Sequence, residues 1–130
     1  MNLATEYRFK GDLKNALIVA KELEKEFHED NKNEESMLPI YGELVGIYKA
    51  RGEEREQNKY NRKITRVYKS NIQNPDYDEE EKESARIGLC IHYCRIEELN
   101  EAAKIAKNLK NKDLAREIPE LKILFRGESQ

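Results

Sequence analysis

The sequence predicts an all-α protein, and three observations carry that expectation. Apolar residues recur at steps of three and four, the spacing that lays a single stripe along a 3.6-residue helix. No segment alternates apolar and polar residues with period two for long enough to make a strand. Helix breakers are scarce, with 6 Gly and 3 Pro in 130 residues.

Each element follows in order. Leu3, Tyr7 and Phe9 belong to a short first helix that stops at Gly11, the residue best suited to a left-handed C-terminal stop. Asp12 then caps a longer helix whose stripe is Leu13, Ala16, Leu17, Ala20, Leu23 and Phe27. A polar stretch from His28 to Glu35 follows. Ser36 is placed to cap the third helix and Pro39 falls in its first turn. Its stripe is Met37, Tyr41, Leu44, Val45 and Tyr48, and it ends at Gly52. The fourth helix, from Glu53 to about Ile72, buries Tyr60, Ile64, Val67 and Tyr68 and stops ahead of Pro75. Asp78, with Glu81 three residues on, opens the fifth as a capping box. That helix runs to about Ile96, with Ala85, Gly88, Leu89, His92, Tyr93 and Ile96 on one face. Leu99, Ala102, Ala103, Ala106 and Leu109 make a short sixth helix. Leu114, Ile118, Leu121, Leu124 and Phe125 make the last, which Pro119 starts or kinks.

Composition bounds the function classes. The chain is 38% apolar and 38% charged, with 24 basic and 26 acidic residues and a net charge of −2. That suits one soluble domain burying about 68% of its unfolded surface, and excludes collagen, disorder and a disulfide scaffold. No apolar run approaches the roughly 20 residues of a bilayer crossing. Met1 to Glu6 has neither the basic nor the apolar region of a secretory leader. Together with two cysteines this gives free thiols in a reducing cytoplasm as the expectation. The balanced charge creates no global field for nucleic acid or an anionic membrane.

Self-similarity adds more. Aligned on Gly11, Gly52 and Glu97, three blocks place Tyr7, Tyr48 and Tyr93 four residues before the turn. Leu3, Leu44 and Leu89 stand eight before it. In the first and third blocks Ala16 and Ala102 follow five residues after the turn, and Ala20 and Ala106 nine after. Tyr and Leu share one face of a first helix, the turn residue bends the chain, and the small Ala lets the second helix approach closely. Hairpins of this kind bury their faces by stacking.

The pattern resembles the tetratricopeptide repeat family over nearly the whole chain. From turn 11 to turn 52 is 41 residues and from 52 to 97 is 45, so the long-repeat variant is the nearer likeness to the standard repeat of about 34. Gln57 and Asn61 stand where small residues are expected, and Glu97 where glycine is. The resemblance implies a right-handed α-solenoid of three hairpins, at about residues 1–28, 36–73 and 78–110, with a capping helix at about 112–126.

It also implies a concave groove lined by the first helix of each pair. Thr5 and Arg8, Gly42, Gly46 and Lys49, and Ile87, Ile91 and Arg95 fall on those faces. Arg8, Lys49 and Arg95 would form a positive ladder for an acidic peptide segment. The glycines would allow a close approach, by a ligand or by a neighbouring helix, and Ile87 with Ile91 would give an apolar anchor pocket or a self-association contact. The family's carboxylate-clamp pattern is not reproduced. The expected function is therefore a non-catalytic protein–protein interaction module or scaffold, with a protein or peptide partner and no membrane.

Two alternatives stand beside it. One is an oligomerisation unit. The other is a nucleic-acid binder acting through Lys59, Arg62, Lys63, Arg66 and Lys69, with Tyr60 and Tyr68 offering some base stacking. A solvated face complementing the helix dipole is the simpler reading of that run. Catalytic signals are poor. His92 falls on a buried stripe and His28 in a charged loop. Cys90 and Cys94 read as buried thiols, since His92 points away from them on a helix. Glu22, Glu24, Glu26, Glu29 and Glu79 to Glu81 follow exposed patterns. No metal, cofactor or catalytic residue is expected.

Overall fold

The computed structural model describes residues 3–29 and 34–126, which contain helices and turns and no strand. Met1 and Asn2, part of the segment that lacks the pattern of a secretory leader, residues 30–33 of the polar stretch and residues 127–130 lie outside the described part. The α-helices among the described residues are α1 (Leu3–Phe9), α2 (Leu13–Glu29), α3 (Leu38–Arg51), α4 (Glu54–Ile72), α5 (Glu79–Arg95), α6 (Leu99–Ala106) and α7 (Lys112–Glu117). Two 3-10 segments, Glu34–Met37 and Pro119–Phe125, complete the order. No helix among the described residues is long and apolar enough to cross a membrane.

The three aligned turns have the same geometry. Gly11, Gly52 and Glu97 have φ of 82°, 75° and 63°, and no other described residue has positive φ. After each, the backbone N–H of the next residue donates to the tyrosine carbonyl: Asp12 to Tyr7 (2.9 Å), Glu53 to Tyr48 (2.9 Å) and Glu98 to Tyr93 (2.8 Å). The turn residue's own N–H donates to Arg8, Lys49 and Cys94 in turn, at 3.0–3.2 Å. This paired closure satisfies carbonyls that a helix end would leave open, and it requires a left-handed residue. Asp12, Glu53 and Glu98 then accept from Ala16, Gln57 and Ala102, starting the second helix of each pair at the same offset.

The chain divides into two compact units, Met1–Val67 and Tyr68–Gln130. In the first, Ala16 and Ala20 are fully buried on α2, which lets α1 and α3 approach it. α3 buries Ile40, Tyr41, Leu44, Ile47 and Tyr48, two adjacent rows rather than one stripe, and Val45 is half-buried. Tyr60 of α4 stacks on Tyr48, centroids 5.9 Å apart and planes 13° apart, and meets Tyr41 at 5.8 Å. α1 contributes less than its spacing suggests. Ala4 is buried and Tyr7 half-buried, but Leu3 and Phe9 are 50% and 67% exposed.

In the second unit Leu89, Cys90, Tyr93, Ala102, Ala106, Leu109, Ala115 and Leu121 form one core. Asp78 and Glu81 make the capping box, with Glu81 N–H donating to Asp78 (2.8 Å) and Asp78 N–H to Glu81 (3.0 Å). Glu83 accepts from the backbone N–H groups of Lys110 and Asn111, pinning the turn that leads into α7.

Several boundaries differ from the sequence reading. Ser36 does not cap α3; it lies inside the 3-10 turn, and Met37 takes the cap position without a side-chain hydrogen bond. α6 stops at Ala106, although Leu109 stays buried. The last helix is two pieces, because the residue before a proline is driven out of the helical region: Ile118 has ψ of 119°. His28 is in the last turn of α2 rather than in a loop, and Tyr68 is half-buried.

Candidate functional site

The first-helix faces can be followed within each unit. In the first, Arg8 leaves α1 and donates through Nε and an Nη to both carboxylate oxygens of Glu43 on α3, each at 3.1 Å. This bidentate fork joins two first helices. It passes over Gly46: a Cβ built there would lie 3.3 Å from Arg8 Nε. The close approach expected at Gly46 is therefore made by the chain's own arginine. Gly42 has nothing within 4 Å of a built Cβ and is exposed. Lys49 is also exposed and takes part in no ion pair among the described residues. Thr5 is half-buried on α1.

In the second unit Arg95 is exposed and donates to Glu120 at 2.8 Å. A backbone hydrogen bond and, after it, that arginine hold the Glu120 carboxyl below its usual range. Ile87 and Ile91 are half-buried and pack on the unit's own core. Of the three ladder cations, two are engaged by carboxylates and Lys49 is open.

On α4, Arg62, Arg66 and Lys69 are exposed, Lys59 is exposed beside Glu56 at 4.0 Å, and Lys63 is half-buried. Lys63 Nζ lies 5.6 Å from the Tyr41 ring centre and 5.7 Å from that of Tyr60. Tyr60 is 1% exposed and presents no face for base stacking, and the half-buried Tyr68 ring packs where a Gly88 side chain would be.

One polar cluster escaped the sequence reading. Glu24, assigned to an exposed pattern, is 9% exposed. It accepts from the Tyr60 hydroxyl at 3.0 Å and pairs with Lys21 at 2.9 Å, while Lys21 donates to the Tyr60 oxygen at 2.9 Å. The signal was present, since Glu24 falls four residues after Ala20 on the apolar stripe, but its charge concealed it. Burial pushes the Tyr60 hydroxyl up to about 12. Burial also pulls down on Lys21, but the hydrogen bonds to Tyr60 and Glu24 outweigh it and hold the ammonium above the usual lysine range. A recess of about 440 Å³ beside the cluster is lined by Lys21, Glu22, Glu24, Lys25 and His28.

His92 is buried against Tyr68 and Tyr93, with ring centres 6.5 and 6.1 Å away. Cys90 is fully buried, its thiol donating to the Ala102 carbonyl at 3.2 Å, and burial pushes it up to about 12. No group of three or more His, Cys, Asp or Glu among the described residues could hold a metal ion. Against protein-family models, curated proteins and solved structures, the chain finds no match.

Proposed function

We propose that the chain is a tetratricopeptide-like helical-repeat module, its hairpins stacked as a right-handed solenoid, that binds a protein or peptide segment and performs no catalysis. The observation that carries this reading is the turn used three times. Gly11, Gly52 and Glu97 share the left-handed conformation, and after each the next residue donates its N–H to a tyrosine carbonyl five residues back. A closure repeated in that detail is the mark of one structural unit used three times. Two free thiols, Cys90 buried in the core and Cys94 half-buried rather than buried as its spacing suggested, suit a reducing cytoplasm.

The binding surface in this reading is the set of first-helix faces. Gly42 leaves a bare strip of α3, and Lys49 supplies a positive charge about two turns further along the same face. Arg8 and Arg95 are held by Glu43 and Glu120, so their part is to orient an acidic segment that shares those pairs. Ile87 and Ile91 offer half-exposed apolar edges on α5.

The test is capture of partners from native lysate by the intact chain and by Lys49→Glu/Arg95→Glu. The variant, folded by circular dichroism, should lose the partner that the wild type retains. Equal capture by both removes the charged face from the account.

A further inference from the structure

The outer face of α4 carries a feature that the first-helix faces do not use. Arg55, Lys59, Arg62 and Arg66 succeed one another at steps of four, three and four. That spacing keeps them on one narrow stripe over about 16 Å of helix. All four are exposed, whereas Tyr60, Ile64 and Val67 are buried on the opposite side. From Gln57 to Pro75 there is no acidic residue, in a chain where 26 of 130 are acidic. Among the described residues, the one ion pair made by the stripe is that of Lys59 with Glu56, at 4.0 Å.

Neighbouring cations advance about 5 Å per step along the helix and repel one another, so the stripe suits a ligand of matching, closely spaced negative charge. Two kinds of macromolecule offer that. A protein surface requires an apolar interface core, and none of the large exposed hydrophobic residues lies on α4. Exposed ion pairs alone contribute little to such an interface. A phosphate backbone needs no apolar core, because binding is driven by release of its condensed counterions. Arginine, three of the four stripe residues, presents a fork that matches phosphate oxygens. Tyr60 is buried, so the stripe has no aromatic platform from which to read bases.

We propose that the outer face of α4 binds the phosphate backbone of a nucleic acid without reading its sequence. This surface is separate from the first-helix faces, and either can fail without the other.

Fluorescence anisotropy of the full chain with a labelled single-stranded RNA, a labelled duplex and a labelled polyglutamate peptide decides the matter. Both nucleic acids should bind at low salt, with a log–log salt slope of about −3 for about four phosphates. Arg62→Gln/Arg66→Gln should cut affinity about tenfold or more and roughly halve the slope, and Arg62→Lys/Arg66→Lys should recover much of it. Arg55→Gln/Lys59→Gln provides a second variant on the same stripe should the first perturb folding. Lys49→Glu should bind RNA as the wild type does. Absence of binding at low salt, binding unaffected by both stripe variants, or polyglutamate binding as tight as RNA would each overturn the proposal, the last by assigning the stripe to an acidic protein.

Discussion

Glu97 holds a backbone conformation that suits glycine, with φ of 63°, because the turn closure demands a left-handed residue whatever its side chain. Replacing it with the residue that the other two turns use should stabilise the protein. Glu97→Gly is expected to raise stability by about 1 kcal/mol in thermal or urea unfolding, and Gly52→Ala to lower it by a similar amount. The equivalence of positions 11, 52 and 97 was legible from the tyrosine and leucine spacing even though glycine is missing from the third. The Tyr60–Glu24–Lys21 cluster was not legible, since spacing placed Glu24 on a buried stripe while charge argued against burial. That cluster gives an alkaline limit. The Tyr60 hydroxyl is raised by burial from about 10 to about 12, so its contribution is fully present below pH 10 and lost as pH rises through 12. Circular dichroism over that window should show a loss of structure that Tyr60→Phe makes shallower.

Two glycines in helices separate packing from propensity at the scale of the element. Gly42, in α3, has nothing within 4 Å of a built Cβ, and Gly42→Ala should raise stability by about 0.5–1 kcal/mol. If a ligand lies along that strip, the same methyl should weaken capture while strengthening the fold. Gly88, in α5, is the opposite case. A Cβ there would stand 2.5 Å from Tyr68 Cε1, so the ring must move. Gly88→Ala should cost about 1–3 kcal/mol by overpacking, against its gain in helix propensity. Urea unfolding of both variants checks the pair. Spacing puts Gly88 on the apolar stripe of α5 and Gly42 off that of α3, but periodicity says nothing of what arrives from another element, so the close approach of the Tyr68 ring was not legible. Element boundaries failed where two local preferences competed. Pro119 was seen as a start or kink, and it split the last helix because Ile118 before it leaves the helical region. Ser36 looked like a cap, yet the chain tightens into a 3-10 turn through Met37 before Pro39 enters α3.

For the whole molecule, the all-helical class followed from a period of 3.6, and the three turns of one geometry from a recurrence every 41 to 45 residues. These are local properties, and they survive being read one segment at a time. The placement of charge does not. Arg8 looked free in the sequence and is forked onto Glu43, which no spacing rule announces because the partner lies 35 residues away. Arg95 is likewise held by Glu120. Lys49 on α3 and Arg55, Arg62 and Arg66 on α4 are exposed and take part in no ion pair among the described residues, and the two readings of function divide between those two faces.

Site-specific photocrosslinking tests the central proposal, that the first-helix faces take the partner. A photoreactive amino acid is placed at Lys49 in one protein and at Lys14, exposed on α2, in another, and both are irradiated with captured partner. The account predicts a covalent adduct from position 49 and none from position 14. An adduct from position 14 alone would contradict it.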